Sequence, residues 1–220
     1  MNHIAHRTGT LQAPQLDYIL LDGSSSMMGK WWDSIGALDG FLGVLRTQNI
    51  NSQVILHTFD SCDMECIQRD CLLADIGSLE DVGAHWGMTP LYDAINLMVR
   101  KLAALDPPKC SIVIVTDGDD TSSKITDIHQ AKALLDWCRA KGWQVTFIGA
   151  DFNNSTQAKL LGADESNSIG VQKAKLLEAG KSLGAKRARH ALSGDDINFS
   201  EDERKNFGGY LTNGNGKAHD

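Results

Sequence analysis

Ser111-Ile112-Val113-Ile114-Val115, followed at once by Thr116-Asp117-Gly118, is the stretch on which the fold turns. An unbroken β-branched run shows no alternation of apolar and polar positions. Such a run needs both faces covered, as in a central parallel strand flanked by helices. The polar triplet marks the point where that strand ends. The same arrangement occurs earlier, where Tyr18-Ile19-Leu20-Leu21 leads into Asp22-Gly23-Ser24-Ser25-Ser26. A third segment, Gly87-Met88-Thr89-Pro90-Leu91-Tyr92-Asp93, reads as a helix start, because Pro90 suits a first turn where its missing N–H costs nothing. In a parallel sheet these three places meet at the carboxyl edge, where α/β folds bind ligands.

The rest of the chain fits that frame. Trp31, Ile35, Leu38, Leu42 and Leu45 recur at helical spacing within a helix expected over 29–47. Residues 54–59 read as a strand, and 66–73 as an edge strand turned back on it. Leu91, Ile95, Met98 and Leu102 form one apolar helix face, ended by Asp106-Pro107-Pro108. A helix over 127–141, a strand over 144–149, a short helix over 155–161, a strand near Ser168-Ile169 and a helix from 171 to about 189 follow. Strands alternating with helices predict an α/β fold. It is a doubly wound, mainly parallel central sheet with helices on both faces and one antiparallel edge strand. The expected division is a lead-in over 1–14, one domain over 15–190, and an extension over 191–220. That extension holds one short helix after Ser200 and a disordered tail from Thr212.

Asp22, Ser24, Ser26, Thr89 and Asp117 resemble the metal-ion-dependent adhesion site (MIDAS) of the von Willebrand factor A (vWA) family. That site is an Asp-x-Ser-x-Ser run, a distant Thr and a further Asp, and all five positions match in order. The resemblance covers roughly residues 15–185 and implies a Rossmann-like vWA fold. It implies magnesium, with manganese or calcium as alternatives, at these five residues. Two carboxylates and three hydroxyls are all-oxygen donors, the set that hard divalent cations prefer. The division of labour expected here has Ser24 and Ser26 on the ion and Thr89 direct or through water. Asp22 and Asp117 would orient bound waters. The resemblance also implies a partner protein whose Asp or Glu completes the coordination, and assembly into multiprotein complexes, some with AAA+ ATPases. The single domain is similar to standalone bacterial or phage members.

Composition narrows the classes. The 220 residues are 42% hydrophobic and 22% charged, ordinary for a globular domain, and the net charge is −7. An acidic surface repels the phosphate backbone, so nucleic acid is not an expected partner. No apolar run approaches a membrane span, the first 14 residues lack a signal-peptide core, and five cysteines are expected as reduced thiols. These features predict a cytoplasmic protein, with the oligomeric state left open. Lys186-Arg187-Ala188-Arg189-His190 reads as a solvated helix end, and Trp86 as a loop residue packed beneath or lining a partner surface. The chain carries no Walker loop, no dinucleotide Gly-x-Gly-x-x-Gly turn and no Gly-x-Ser-x-Gly elbow. A protein-interaction module, not an enzyme, is therefore the expected function. A metal-dependent hydrolase or phosphoesterase and a metal-free scaffold are the alternatives.

Overall fold

A computed structural model describes residues 14–151 and 155–208. The lead-in up to residue 13 and the tail expected from Thr212 lie outside these residues. Six strands form one sheet: β1 (Gln15–Asp22), β2 (Ser52–Phe59), β3 (Cys66–Leu72), β4 (Cys110–Thr116), β5 (Gln144–Ala150) and β6 (Ser168–Val171). Their order is β3-β2-β1-β4-β5-β6, with β3 antiparallel to β2 and every other pairing parallel. Among the described residues there are also six α-helices: α1 (Trp31–Thr47), α2 (Leu91–Leu105), α3 (Ile128–Ala140), α4 (Ser155–Leu160), α5 (Leu176–Ser193) and α6 (Glu201–Gly208). This is the doubly wound α/β architecture expected from the alternation of β-branched runs and amphipathic segments.

The two faces of the sheet bury separate cores. One holds Ile19, Leu21, Val113 and Val115 beneath α1 and α5. The other holds Tyr18, Leu20, Ile112 and Ile114 beneath α2 and α3. Every residue of β4 is buried, as its unbroken apolar run demands. Each fully buried Val, Leu or Ile contributes about 1.5–3 kcal/mol of transfer free energy, so the two central strands dominate the stability of the sheet. Ile197, Phe199 and Phe207, beyond the last long helix, are buried in the α1/α5 core.

Sequence order reverses between β1 and β4. The chain runs outward through β2 and β3 on one side, then returns to build β4, β5 and β6 on the other. The carboxyl ends of β1 and β4 therefore splay apart into the crevice where such sheets bind ligands. Leu21 pairs with Val115, which brings Asp22 beside Thr116 at the mouth of that crevice.

Three helices begin differently from the sequence expectation. Helix α5 starts at Leu176 rather than 171, because Val171 pairs with Ala150 as the last residue of β6. Ser25–Gly29 forms a short 3-10 turn, and α1 starts only at Trp31. Met27, fully buried, pins the turn to the core. Pro90 occupies the cap position of α2 rather than its first turn. Among the described residues, no helix is long and apolar enough to cross a membrane.

The basic cluster at 186–190 departs from its reading as a solvated helix end. Arg187 is turned inward and fully buried, with its Nε 2.6 Å from Asp17 Oδ1 and Nη2 3.3 Å from Asp17 Oδ2. Helical periodicity explains the reversal, because Arg187 falls on the same face as Ala179, Gly180, Leu183 and Gly184, which pack against α1.

Candidate metal centre

The loop after β1 is shaped by its own carboxylate. Asp22 Oδ1 accepts the Ser24 N–H at 2.8 Å, a turn contact that folds the chain back over the strand end. Asp22 Oδ2 accepts the Thr116 hydroxyl at 2.6 Å from the end of β4. The Gly23 N–H donates to Phe59 O at 2.8 Å, which continues the β1/β2 ladder into the loop. Ser24 and Ser26 then face the same way, with their hydroxyl oxygens 3.0 Å apart. The Ser26 hydroxyl donates to Asp117 Oδ1 at 2.6 Å. Asp22, Ser24, Ser26 and Asp117 thus stand in one continuous polar chain across the crevice. Asp22, Ser24 and Asp117 are buried, while Ser26 is exposed, so the chain opens to solvent at Ser26.

Thr89 arrives from the third segment through its backbone. Gly87 O accepts the Ser25 N–H at 2.9 Å and Met88 O accepts the Ser61 N–H at 3.0 Å. Thr89 itself is buried. Gly87 is required here, since a Cβ would lie 2.6 Å from Ser61 Oγ and 3.0 Å from the Ser61 nitrogen. Asp60, a buried carboxylate at the end of β2, ties the neighbouring loops together. Its Oδ1 accepts from the Cys62 and Asp63 N–H groups, and its Oδ2 accepts from His85 N–H at 2.9 Å.

A second clasp joins the Thr89 and Asp117 segments. With Pro90 at the cap position, α2 has no capping side chain of its own. Its first N–H groups find acceptors in the loop after β4 instead. Tyr92 N–H donates to Asp120 Oδ1 at 3.2 Å and Asp93 N–H to Ser123 Oγ at 3.0 Å. Thr89 N–H donates to Thr121 Oγ1 at 3.1 Å, and Thr121 N–H returns to Thr89 O at 2.8 Å. Asp93 then accepts the backbone N–H groups of Lys124, Ile125 and Thr126. Burial opposes ionisation of Asp93, but these three N–H donors outweigh it and hold the carboxyl below its ordinary range. The sequence Asp119-Asp120-Thr121-Ser122-Ser123 is therefore a cap for a distant helix.

Trp86 lies beneath the loop after β1, with left-handed backbone (φ 63°) and its N–H donating to Gly23 O at 3.1 Å. Its ring meets that of buried Trp31 edge to face, with centroids 5.2 Å apart. It therefore supports the site from below. Trp32 and Met88 are exposed nearby in sequence, at 63% and 55%.

Electrostatics sets this cluster apart. Burial, with a smaller push from the charge of Asp117, holds the Asp22 carboxyl up at about 6 despite hydrogen bonds from Thr116 and Ser24. Among the described residues the ion pair at this cluster is that of Lys30, whose Nζ lies 2.5 Å from Asp117 Oδ2. Two carboxylates against one ammonium leave a negative surplus. Among the described residues no group of three or more His, Cys, Asp or Glu side chains gathers, so thiolate or imidazole metal sites find no ligands. An all-oxygen set of two carboxylates and several hydroxyls fits a hard divalent cation.

Sequence reasoning missed two contributors. Thr116 orients Asp22, whereas the sequence marks it only as the end of a strand. Lys30 is the only basic residue between Arg7 and Arg46, which was the available signal that its position carries meaning.

No protein-family model matches the sequence, and no curated protein is similar to it at a significant level. Solved structures do match in fold. The pilus adhesin SpaC from Lactobacillus rhamnosus GG aligns over 85% of this chain with a TM-score of 0.62 and 12% identity. The present chain spans 31% of that adhesin. The vWF domain of the type V pili tip protein Mfa5 from Porphyromonas gingivalis aligns over 86% of this chain and 97% of its own, with a TM-score of 0.61 and 13% identity. A von Willebrand factor type A structure from Catenulispora acidiphila gives 0.55 over 80% of this chain and 43% of its own, at 14% identity. The chain has the vWA fold. At these identities the likeness is one of architecture.

Proposed function

We propose that this chain is a metal-dependent protein-interaction module. Its divalent cation, magnesium or manganese, is held by Asp22, Ser24, Ser26, Thr89 and Asp117. A carboxylate from a partner protein completes the coordination. The observation that carries this reading is the polar chain from Asp22 through Ser24 and Ser26 to Asp117, with its negative surplus. Burying two carboxylates beside each other is unfavourable unless a cation offsets them. The bound ion supplies a Lewis-acidic point that an outside oxygen ligand can reach. The protein's own part is geometric. Thr116 and the Ser24 N–H hold Asp22, Met27 pins the loop, and the Trp31/Trp86 pair supports it from beneath.

The geometry favours binding over turnover. Both oxygens of Asp22 already accept hydrogen bonds, so the protein holds the carboxylate in place and leaves its remaining lone pairs for an ion or an ordered water. His85, four residues before Thr89 in the chain, faces Asp60 at 3.9 Å and is half exposed. Pilus adhesins and pilus tip proteins are among the proteins of this fold, and an interaction role agrees with them. We propose a protein surface, in the cytoplasm or within a larger assembly, as the ligand class.

Thermal unfolding with and without manganese or magnesium tests the reading. At ten times its dissociation constant the ion should add about 1.4 kcal/mol, a rise of roughly 3–5 °C for a chain of this size. The Asp22→Ala variant should show no rise. A wild-type protein whose melting is indifferent to millimolar metal would sink the proposal.

A further inference from the structure

The metal site contains a positive charge of its own. Lys30 Nζ donates to Asp117 Oδ2 at 2.5 Å and lies 3.4 Å from Ser26 O. The Asp117 side chain is 1% exposed and that of Lys30 23%, so the pair is shielded from water on the carboxylate side. Asp117 Oδ1 is meanwhile taken by the Ser26 hydroxyl. Both oxygens of this predicted ligand are therefore engaged by the protein itself.

The position of Lys30 is otherwise unfavourable. It directly precedes Trp31, the first residue of α1, where the partial positive charge of the helix end repels a cation. Asp33 alone supplies an acidic group in that first turn, and it pairs with Lys173 at 3.5 Å. What compensates Lys30 is Asp117, across the crevice and 87 residues away. Its backbone is fixed independently. The Lys30 N–H donates to Met27 O at 2.8 Å, and Lys30 O accepts the Ser34 N–H at 2.9 Å. The four-carbon stem can therefore swing while its backbone stays in place, giving up in the loop that carries Ser24 and Ser26 the 3.4 Å contact to Ser26 O.

Resting on the reading of this cluster as a divalent-cation site, we propose that Lys30 is a tethered rival of the ion: its ammonium neutralises Asp117 until metal enters, and is then displaced toward solvent. An ammonium and a divalent cation cannot share Asp117 at close range, because like charges repel. The ammonium holds one carboxylate only, whereas the ion draws on both carboxylates and the hydroxyls. The exchange makes the site stable without metal and lowers its affinity for metal. The ion is then retained best when a partner's carboxylate adds a ligand.

Manganese titration, read by loss of the free-ion resonance, tests this on the full chain, wild type beside Lys30→Met, Lys30→Gln, Lys30→Arg and Asp22→Ala. Removing the ammonium should tighten manganese binding about tenfold in Lys30→Met and Lys30→Gln, while Lys30→Arg stays near wild type. Without metal, Lys30→Met and Lys30→Gln should melt below wild type, and saturating manganese should close that gap. If wild type binds manganese through Asp22 and the neutral variants bind it equally or more weakly, Lys30 is no rival, and the metal site stands without it. If neither wild type nor the neutral variants bind manganese, the metal reading falls and takes this inference with it. Two neutral variants guard against a folding defect in either one.

Discussion

Strand β1 carries a buried aspartate near each end, and the two are treated in opposite ways. Asp17, near the amino end, is fully buried and meets the guanidinium of Arg187 through two nitrogens. The Ser52 hydroxyl also donates to it, and Arg187 Nη1 reaches Gln15 Oε1 at 3.0 Å. Asp22, at the carboxyl end, is equally buried but receives only a hydroxyl and an N–H. The chain closes the charge at one end of the sheet and leaves it open at the other. A closed pair is a structural fastening between β1 and α5. An open carboxylate beside a second one is a place for a cation from outside.

Breaking the closed end should produce the largest effect. Arg187→Met leaves Asp17 buried and unpaired, at a cost of about 3–5 kcal/mol, read as a fall in the midpoint of urea unfolding. Asp22→Asn at the open end should change metal-free stability by no more than about 1 kcal/mol, since it removes a charge that has no cation of its own. Equal losses in the two variants would erase the distinction between the ends.

The packing that brings Arg187 to Asp17 can be probed apart from charge. A Cβ on Gly180 would lie 2.1 Å from Ala37 O, so α5 approaches the α1 backbone more closely than any side chain allows. Gly180→Ala should cost about 1–3 kcal/mol by forcing the helices apart, despite alanine's better helix propensity. Thermal melting that rose instead would show that α5 is not held there.

The smaller effects belong to the open end. Asp93→Asn keeps one acceptor oxygen for the three N–H groups of 124–126 and should cost about 1.5 kcal/mol. Because its folded value is depressed, Asp93 stabilises the protein above the ordinary carboxylate range. That contribution fades as pH falls through the depressed value. The gap between wild type and Asp93→Asn should accordingly be full at pH 7 and narrow in strong acid. A gap independent of pH would assign the effect to shape rather than charge.

The fold was legible because its signals are local. The run 111–115 demanded a covered strand, and the stripe Trp31, Ile35, Leu38, Leu42 and Leu45 demanded a buried helix face. All five of these helix positions are buried. The placing of Asp22 and Asp117 at the carboxyl edge was legible for the same reason, since each closes an apolar run that forms a strand. Arg187 was misread because a run of basic residues looks solvated until the helix is docked. Trp86 was read as packed beneath a loop or lining a partner surface, and the structure shows the packing. The Asp120 cap on α2 could not be read, because it depends on which loops meet.

The sequence by itself therefore determined the alternation of strands and helices, the antiparallel edge, and the position of Asp22 and Asp117 at the ends of neighbouring strands. Hydrophobic period and turn chemistry act over a few residues and are written in the chain. Only the tertiary structure decided which charges are closed and which stay open. The Asp17–Arg187 pair spans 170 positions and the Lys30–Asp117 pair spans 87. Such pairings depend on how helices dock and loops approach, which no local pattern encodes.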